Sequence, residues 1–380
     1  MHRRLALYRT MSSVFHAHLK PLAMLSTLTA FQLVTAVCSG LDNLVYRRWK
    51  NQKLDRPIFI LGNPRSGTTF LHRLLLGAGS MSAMELWEMM LPAITARKAL
   101  GQVVPRMSAI NPAQYHASDA HETSLRGIET DDLAWLFHSL DGPFAWAYFS
   151  AWHDTWGTDS AQRAFAVGDV EGDDDRFFSF FEKVWKKSLY LSGKSRMLVK
   201  SSMLTFRIPA ILRRYPDAKL LYVVRDPVET IPSGMSLLTD ALQNAFDIDH
   251  RTTASDRNHW LDNLYRVSVA LFRDFHGRYV AGEIPADSLL IVRYPDLIEN
   301  LEQTMSDILE FIDVAATEEF RQEVRGQAAK QRAHNSSHTY SAERFGLTEQ
   351  RIRHDLVDIY ATFRLDPTST LERAETDDAT

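Results

Sequence analysis

The chain contains almost no cysteine, since Cys38 is the only one among its 380 residues. This excludes an internal disulfide and a structural zinc cluster held by cysteines, and it fits a protein of the reducing cytoplasm. An excess of basic residues is also missing, because the formal net charge is −4. Without an extended basic patch, the composition gives no support for duplex nucleic acid as a partner.

Apolar residues, in contrast, are plentiful enough for a large core. They make up 45% of the chain, and 20 phenylalanines are among them. A chain of this length is compatible with one large α/β domain carrying extensions and equally with two domains. The sequence patterns divide the chain into a leader over residues 1–50, a main domain over residues 51–365 and an acidic tail over residues 366–380 that is predicted to be disordered.

The leader contains an uncharged run from Pro21 to Leu41 with basic residues on both sides. The run is long enough to cross a bilayer, but it also holds several serine, threonine and glutamine side chains. Its nearly symmetric basic flanks give no orientation, and no small-residue cleavage site of a signal peptide follows it. We expect a helix that packs on the main domain or rests on a membrane surface without spanning it, so that the protein is cytoplasmic and peripheral to a membrane.

A glycine-bracketed turn joins an apolar strand to an apolar helix. Successive backbone N–H groups of such a turn converge on one point, where the helix N-terminus adds a partial positive charge. Thr68 stands where a Walker A loop has its lysine, and Arg65 is the only cation in the turn. The turn therefore predicts an anion site that lacks the group for a nucleotide γ-phosphate. Its sequence is Gly62-Asn63-Pro64-Arg65-Ser66-Gly67-Thr68-Thr69.

A second strand-to-helix junction lies at Arg225, after the apolar run 218–224. Pro227 suits the first turn of a helix, Asp226 can cap that helix, and Ser233 follows within it. The planar guanidinium of an arginine matches a phosphate group. The alternative is that Arg225 merely pairs with Asp226 or with Glu229.

These two junctions resemble those of sulfotransferases, of the bacterial type, that use 3′-phosphoadenosine-5′-phosphosulfate (PAPS). In that family an arginine or lysine at the position of Arg65 precedes Ser-Gly-Thr-Thr, and the residues equivalent to Arg225 and Ser233 hold the 3′-phosphate. The resemblance implies a P-loop-like α/β fold with an open, mainly parallel sheet and helices on both faces. It also implies that the 5′-phosphosulfate is bound by Arg65, Ser66, Gly67, Thr68 and Thr69.

A third strand, residues 196–200, ends in Lys200. The resemblance implies that this lysine neutralises charge as the sulfuryl group moves, and that no metal is needed because PAPS has no triphosphate to bridge. Many family members continue with Lys-Thr-His, in which the histidine is the catalytic base, but Ser202 occupies that position here. The base therefore stays open: Glu88 is the leading candidate, Glu85 the alternate, and further candidates are His116, His121, Asp131 and Asp132.

The motifs describe the donor better than the acceptor. The resemblance implies transfer to a hydroxyl or an amine of a small or lipid-like molecule, and aromatic residues between Leu133 and Trp156 form a packed helical layer that can contribute to an acceptor pocket. The segment from Tyr340 to Leu347 resembles the family's C-terminal segment, which folds over the nucleotide. The alternatives are a P-loop kinase or NTPase and an inactive nucleotide-binding protein. Monomer and oligomer are both compatible with the sequence.

Overall fold

The computed structural model describes residues 2–103, 106, 124–165, 173–333 and 342–365. At the centre of this part of the chain is a five-stranded sheet with the strand order β2-β3-β1-β4-β5, and all of its pairs are parallel. The predicted open parallel sheet with helices on both faces is confirmed. The strands are β1 Ile58–Leu61, β2 Met81–Ser82, β3 Arg196–Lys200, β4 Lys219–Val224 and β5 Leu289–Arg293.

Helices fill most of the remaining described chain. Those that precede β3 are α1 His2–Val14, α2 Leu19–Val45, α3 Thr68–Leu76, α4 Leu86–Met90, α5 Ile94–Leu100, α6 Asp132–Ser139, α7 Pro143–Tyr148, α8 Asp159–Phe165 and α9 Asp173–Ser192. Those that follow it are α10 Ile208–Arg214, α11 Pro227–Phe246, α12 Ile248–Arg251, α13 Ala254–Val280, α14 Tyr294–Glu299, α15 Leu301–Phe311, α16 Glu318–Ala333, α17 Glu349–Asp355 and α18 Val357–Phe363. Short 3-10 helices lie between them, including Arg47–Asn51, Ser150–Trp152 and Ala342–Phe345.

The strand β1 shows how the sheet is buried on both faces. Successive side chains of a strand point to opposite faces. Ile58 and Ile60 pack with residues of α3, α15 and α16 on one face, whereas Phe59 and Leu61 pack with residues of α9 and α13 on the other. Because neither face meets water, the strand is apolar throughout, which is why it is visible in the sequence.

One end of α9 differs from the sequence interpretation. The acidic stretch 169–175 reads as a solvated turn, but Asp173–Asp175 form the first turn of α9. Acidic residues stabilise the N-terminus of a helix, so their charge favours the helix rather than a loop. Residues 169–172 and the acidic tail 366–380 lie outside the described residues.

The uncharged run of the leader lies within α2, which is long and apolar enough to cross a membrane by length and composition. The helix packs against α5 and α6, yet only 11% of its most apolar window is buried. On the packed side, the carboxylate of Asp42 forms an ion pair with Lys187 of α9 at 2.9 Å. The same carboxylate accepts hydrogen bonds from the backbone N–H groups of Ile94 and Thr95. A fully buried charge therefore ties α2 to the main domain.

Candidate active site

The turn after β1 has the backbone of an anion-binding loop. Gly62 and Gly67 have φ angles of +129° and +95°, in the region that favours glycine. A Cβ atom on Gly62 would lie 2.3 Å from the carbonyl oxygen of Val223, and one on Gly67 would lie 2.7 Å from the ring of Tyr294. Both positions thus require glycine, because β4 and the start of α14 approach the loop closely.

Two side chains of this loop are buried next to the N-terminus of α3. Asn63 donates through Nδ2 to the carbonyl oxygen of Ser268 at 3.0 Å. Its Oδ1 atom and the hydroxyl of Ser66 are buried, and neither has a hydrogen-bond partner among the described residues. Buried polar groups in folded proteins are nearly always hydrogen-bonded, so these two atoms are exceptions within the loop.

The loop meets the second strand-to-helix junction through Arg65. Its Nε atom donates to the hydroxyl of Ser233 on α11 at 3.0 Å. Arg225, directly after β4, donates from Nη1 to the carbonyl oxygen of Arg65 at 3.3 Å and lies over the ring of Tyr294 at 4.1 Å from its centroid. The structure therefore brings three predicted phosphate ligands together. The alternative pairing is also present, because Arg225 Nε donates to Glu229 at 2.7 Å.

Lys200 is the last residue of β3, which lies on the other side of β1 from β4, and its side chain reaches the same loop. Its ammonium group donates to Thr69 Oγ1 at 2.8 Å, and its side chain is 5% exposed. Burial lowers the pKa of Lys200 to about 8, although the negative charges of Glu129 and Asp131 oppose this shift. With a pKa of about 8, Lys200 is mainly a cation at neutral pH, and it lies beside the N-terminus of α3.

Two aspartates hold the backbone around Lys200. The N–H group of Lys200 donates to Asp131 Oδ2 at 3.0 Å, and the N–H group of Asp131 donates back to the carbonyl oxygen of Lys200 at 2.8 Å. Burial raises the pKa of Asp131 to about 7. Asp132 accepts hydrogen bonds on both oxygens, from Ser201 at 2.5 Å and from Thr130 at 2.8 Å. These aspartates are therefore engaged in positioning the end of β3.

A cavity of about 670 Å³ opens at this point. One part of its wall is polar and comprises the loop after β1 together with Lys200, Arg225, Glu129 and Asp132. Another part is apolar and comes from α7, α11 and α13, with Phe144, Ala147, Met235, Leu238, Leu264 and Leu271 among its side chains. The cavity can thus hold an anionic group at one place and an apolar one at another. Among the described residues, no group of three or more histidine, cysteine or acidic residues is arranged to hold a metal ion.

The leading base candidate does not line this cavity. Glu88 and Glu85 form the capping box of α4, in which the N–H group of Glu85 donates to Glu88 Oε2 at 2.9 Å. Glu88 also pairs with Arg97 at 3.4 Å, and Glu85 accepts from Trp87 Nε1 at 2.7 Å. The structure therefore does not bring Glu88 together with Arg65 and Lys200, because its carboxylate stabilises a helix start.

The other base candidates also differ in whether they line the cavity. Asp132 lines the cavity but Asp131 does not, and His116 and His121 lie outside the described residues. Sequence reasoning missed Glu129, which is buried at the cavity wall. Its segment is held by an isolated bridge between Ile128 and Glu85 and by the hydrogen bonds of Asp131 with Lys200, and such contacts leave no local pattern in the sequence.

The segment expected to cover the nucleotide is described only from Ala342 onward, and Tyr340 lies outside the described residues. Ala342–Phe345 forms a 3-10 helix that packs against α11. Arg344 there donates to Ser236 at 3.2 Å and pairs with Asp240 at 2.9 Å. This anchors the segment on the helix that carries Ser233.

Comparisons with known proteins identify the family of this chain. A sequence model described as the sulfotransferase family matches residues 57–319. Among curated relatives are the omega-hydroxy-beta-dihydromenaquinone-9 sulfotransferases Stf3 of Mycobacterium bovis and of Mycobacterium tuberculosis; each is 24% identical over 282 residues, or 73% of this chain and 68% of the relative.

Solved structures show the same fold. Sulfotransferase STF9 from Mycobacterium avium superposes with a TM-score of 0.68 at 17% identity, over 92% of this chain and 87% of that chain. Sulfotransferase STF1 from Mycobacterium tuberculosis superposes with a TM-score of 0.63 at 20% identity, over 93% of this chain and 89% of that chain.

Proposed function

This chain belongs to the sulfotransferase family, and from that membership we propose that it transfers the sulfuryl group of PAPS to a hydroxyl of a lipid-like acceptor. The observation that carries the proposal is that Arg65, Arg225 and Lys200 line one cavity whose wall is partly apolar, with Ser233 hydrogen-bonded to Arg65. PAPS and the acceptor are both substrates in this scheme. The cavity offers no separate support for an amine as the acceptor.

The donor fits the polar wall of the cavity. The 5′-phosphosulfate would lie at the start of α3, where Arg65, the Ser66 hydroxyl and the backbone N–H groups of residues 67–69 are available as donors. The placement is supported by Arg65, Gly67, Thr68 and Thr69, which all line the cavity at this helix N-terminus. The 3′-phosphate would lie between Arg225 and Ser233, and a nucleotide without that phosphate would forgo both contacts.

The transfer itself requires mainly positioning and charge stabilisation. The acceptor oxygen attacks sulfur in line, a new S–O bond forms, and the S–O bond to the 5′-phosphate breaks, so that 3′-phosphoadenosine-5′-phosphate (PAP) leaves. Lys200 and Arg65 approach the cavity from different strand ends and would neutralise the charge that develops on the bridging oxygen. A preorganised cation in a water-poor site is the strongest contribution that such a site can make.

The lipid-like character of the acceptor rests on two observations. The apolar wall from α7, α11 and α13 suits a hydrocarbon chain, since burial of apolar surface is favourable in proportion to its area. The curated relatives are named for a hydroxylated menaquinone derivative, an acceptor with a long apolar part. A hydroxyl at the end of an apolar chain would satisfy both.

Transfer of label from radiolabelled PAPS to dodecan-1-ol, with butan-1-ol as the short control, tests the reaction. We expect a sulfated product with dodecan-1-ol and a much lower kcat/KM with butan-1-ol. Calorimetry with PAP, AMP and ATP tests the donor site, and PAP should bind most tightly. Equal affinity for PAP and AMP would refute the 3′-phosphate site. Tightest binding of ATP would favour a kinase or NTPase, although Thr68 occupies the position of the lysine that such a loop needs.

The proposal includes a membrane surface as the place where a lipid acceptor is met. The side of α2 that faces away from the main domain is rich in exposed apolar residues, such as Leu33, Val37 and Leu44. The ion pair of Asp42 with Lys187 holds the opposite side. A helix held in this way can lie in the plane of a membrane interface but cannot cross the bilayer without breaking a buried ion pair.

Flotation with vesicles of phosphatidylglycerol and phosphatidylcholine tests this contact. We expect the wild-type protein to float with the vesicles and the double variant Leu33→Ser, Val37→Ser to remain unbound while its PAP affinity is unchanged. Equal flotation of both proteins would contradict contact through this face. Resistance of the membrane-bound protein to alkaline carbonate would instead indicate a true span.

A further inference from the structure

Sulfuryl transfer to an alcohol needs a base, and the base must reach the cavity. Among the described residues, the carboxylates that line the cavity belong to Glu129, Asp132 and Glu323. Neither Glu88 nor Glu85 is among them, because both are engaged at the start of α4. Within the described part of the chain, the choice among carboxylates is therefore limited to these three.

Two of the three are poorly suited to take a proton from the acceptor. Asp132 already accepts hydrogen bonds on both oxygens, from Ser201 and Thr130. Glu323 is exposed, and its carboxylate lies beside Gly77, at the far end of α3 from Thr69. Eight residues of helix at the usual rise separate these ends by about 12 Å. Proton removal has to occur near the sulfur, at the N-terminus of α3.

Glu129 lies on the correct side of this helix. Its side chain is 5% exposed, and its Oε1 atom is 3.9 Å from Nη2 of Arg73. Residues four apart share one face of a helix, so Arg73 is directly above Thr69, which accepts the hydrogen bond of Lys200. Glu129 thus contacts a residue one helical turn from Thr69, the partner of Lys200.

The segment that carries Glu129 is fixed relative to Lys200. Asp131 forms two hydrogen bonds with Lys200: its backbone N–H group donates to the carbonyl oxygen of Lys200, and its carboxylate accepts from the backbone N–H group of Lys200. Consistent with this proximity, burial lowers the pKa of Lys200 and the charge of Glu129 is the strongest influence opposing that shift. Lys200 and Arg73 are the cations near Glu129, and Asp131 and Asp132 are the other acidic groups nearby.

We propose that Glu129 is the general base that removes the proton of the acceptor hydroxyl, an inference that rests on the sulfuryl transfer proposed above. As the acceptor oxygen forms its bond to sulfur, its proton passes to the Glu129 carboxylate, the S–O bond to the 5′-phosphate breaks, and PAP leaves with the electron pair of that bond. Lys200 and Glu129 then have separate tasks: one stabilises the leaving group, and the other activates the nucleophile.

The test compares Glu129→Gln with the wild type on dodecan-1-ol and on a series of 4-nonylphenols whose ring halogens progressively lower the hydroxyl pKa. We expect kcat with dodecan-1-ol to fall by about 10²- to 10⁴-fold. The loss should shrink as the phenol becomes more acidic, since an ionised acceptor needs no base. PAP affinity, measured by calorimetry, should stay within about twofold of wild type, because the proposed contact is to the acceptor.

Two further variants make the result specific. Glu323→Gln places the same substitution on the wall of the same cavity and should leave kcat unchanged. Glu129→Asp keeps a carboxylate, so it should retain part of the activity and the wild-type dependence on acceptor acidity; it also serves if the glutamine variant does not fold. A loss that is equal for all acceptors, or an unchanged kcat in Glu129→Gln, would overturn the role of Glu129. A wild-type protein that transfers nothing from PAPS to any acceptor would instead overturn the proposed function itself.

Discussion

Replacement of Arg225 by alanine should separate the binding of PAP from that of AMP. In the structure the guanidinium is already oriented, because it donates to Glu229 and to the carbonyl oxygen of Arg65 and stacks on Tyr294. Hydrogen bonds to charged groups contribute about 1.5–3 kcal/mol each. Loss of one such contact should therefore weaken PAP binding by about 10- to 150-fold. AMP has no 3′-phosphate, so its affinity should be unchanged.

Calorimetric titration of both nucleotides into wild type and Arg225→Ala measures this difference. Glu229→Gln is the matched control, because it keeps the arginine and removes the carboxylate that competes for it. A half-exposed ion pair is worth about 1 kcal/mol or less, so PAP affinity should rise in this variant by a factor of up to about five. If Arg225→Ala weakened PAP and AMP equally, the arginine would not recognise the 3′-phosphate and the reasoning would fail.

Three further predictions follow from buried groups. Burial lowers the pKa of Lys200 to about 8, and the cation is the form proposed to be active, so kcat/KM should decline as the pH rises above about 8. The variant Lys200→Arg should lack this decline. A wild-type profile that stays flat to pH 10 would contradict the role of the Lys200 cation. Gly67→Ala puts a Cβ atom 2.7 Å from the ring of Tyr294 at a positive φ, so stability in urea should fall on the order of 1–3 kcal/mol, and an unchanged midpoint would argue against the loop geometry. Asp42→Asn should cost about 3–5 kcal/mol by leaving Lys187 buried without its partner, and Lys187→Met in the same chain should recover part of the loss.

The sheet and the donor loop were predictable because each has a local signature. A strand buried on both faces is apolar throughout, so the runs that end at Leu61, Lys200 and Val224 are visible as strands in the sequence. Gly62 and Gly67 mark a turn whose positive φ angles favour glycine at both positions. Parallel strands end at one edge of a sheet, so these signals together were sufficient to predict the proximity of Arg65, Lys200 and Arg225.

The acceptor side was not predictable in the same way. Glu88 lies in an apolar stretch and Glu129 in a polar one, and sequence proximity to the first helix favoured Glu88. What distinguishes them is tertiary: Glu88 caps α4 and pairs with Arg97, whereas Glu129 reaches the cavity through a contact between distant segments. Residues that come together only through the packing of long connections have no spacing rule that would reveal them.

The register between β1 and β4 has a consequence for where the proposed phosphate ligands leave the sheet. Leu61, the last residue of β1, is opposite Tyr222, so β4 continues for two residues before it ends at Val224. With a strand spacing of about 4.8 Å and a rise of about 3.3 Å per residue, the two strand ends are about 8 Å apart. The offset between the two strand ends is therefore set by backbone hydrogen bonds between the strands rather than by side chains. Because Arg65 and Arg225 follow these two ends, the offset fixes where the two proposed phosphate ligands leave the sheet.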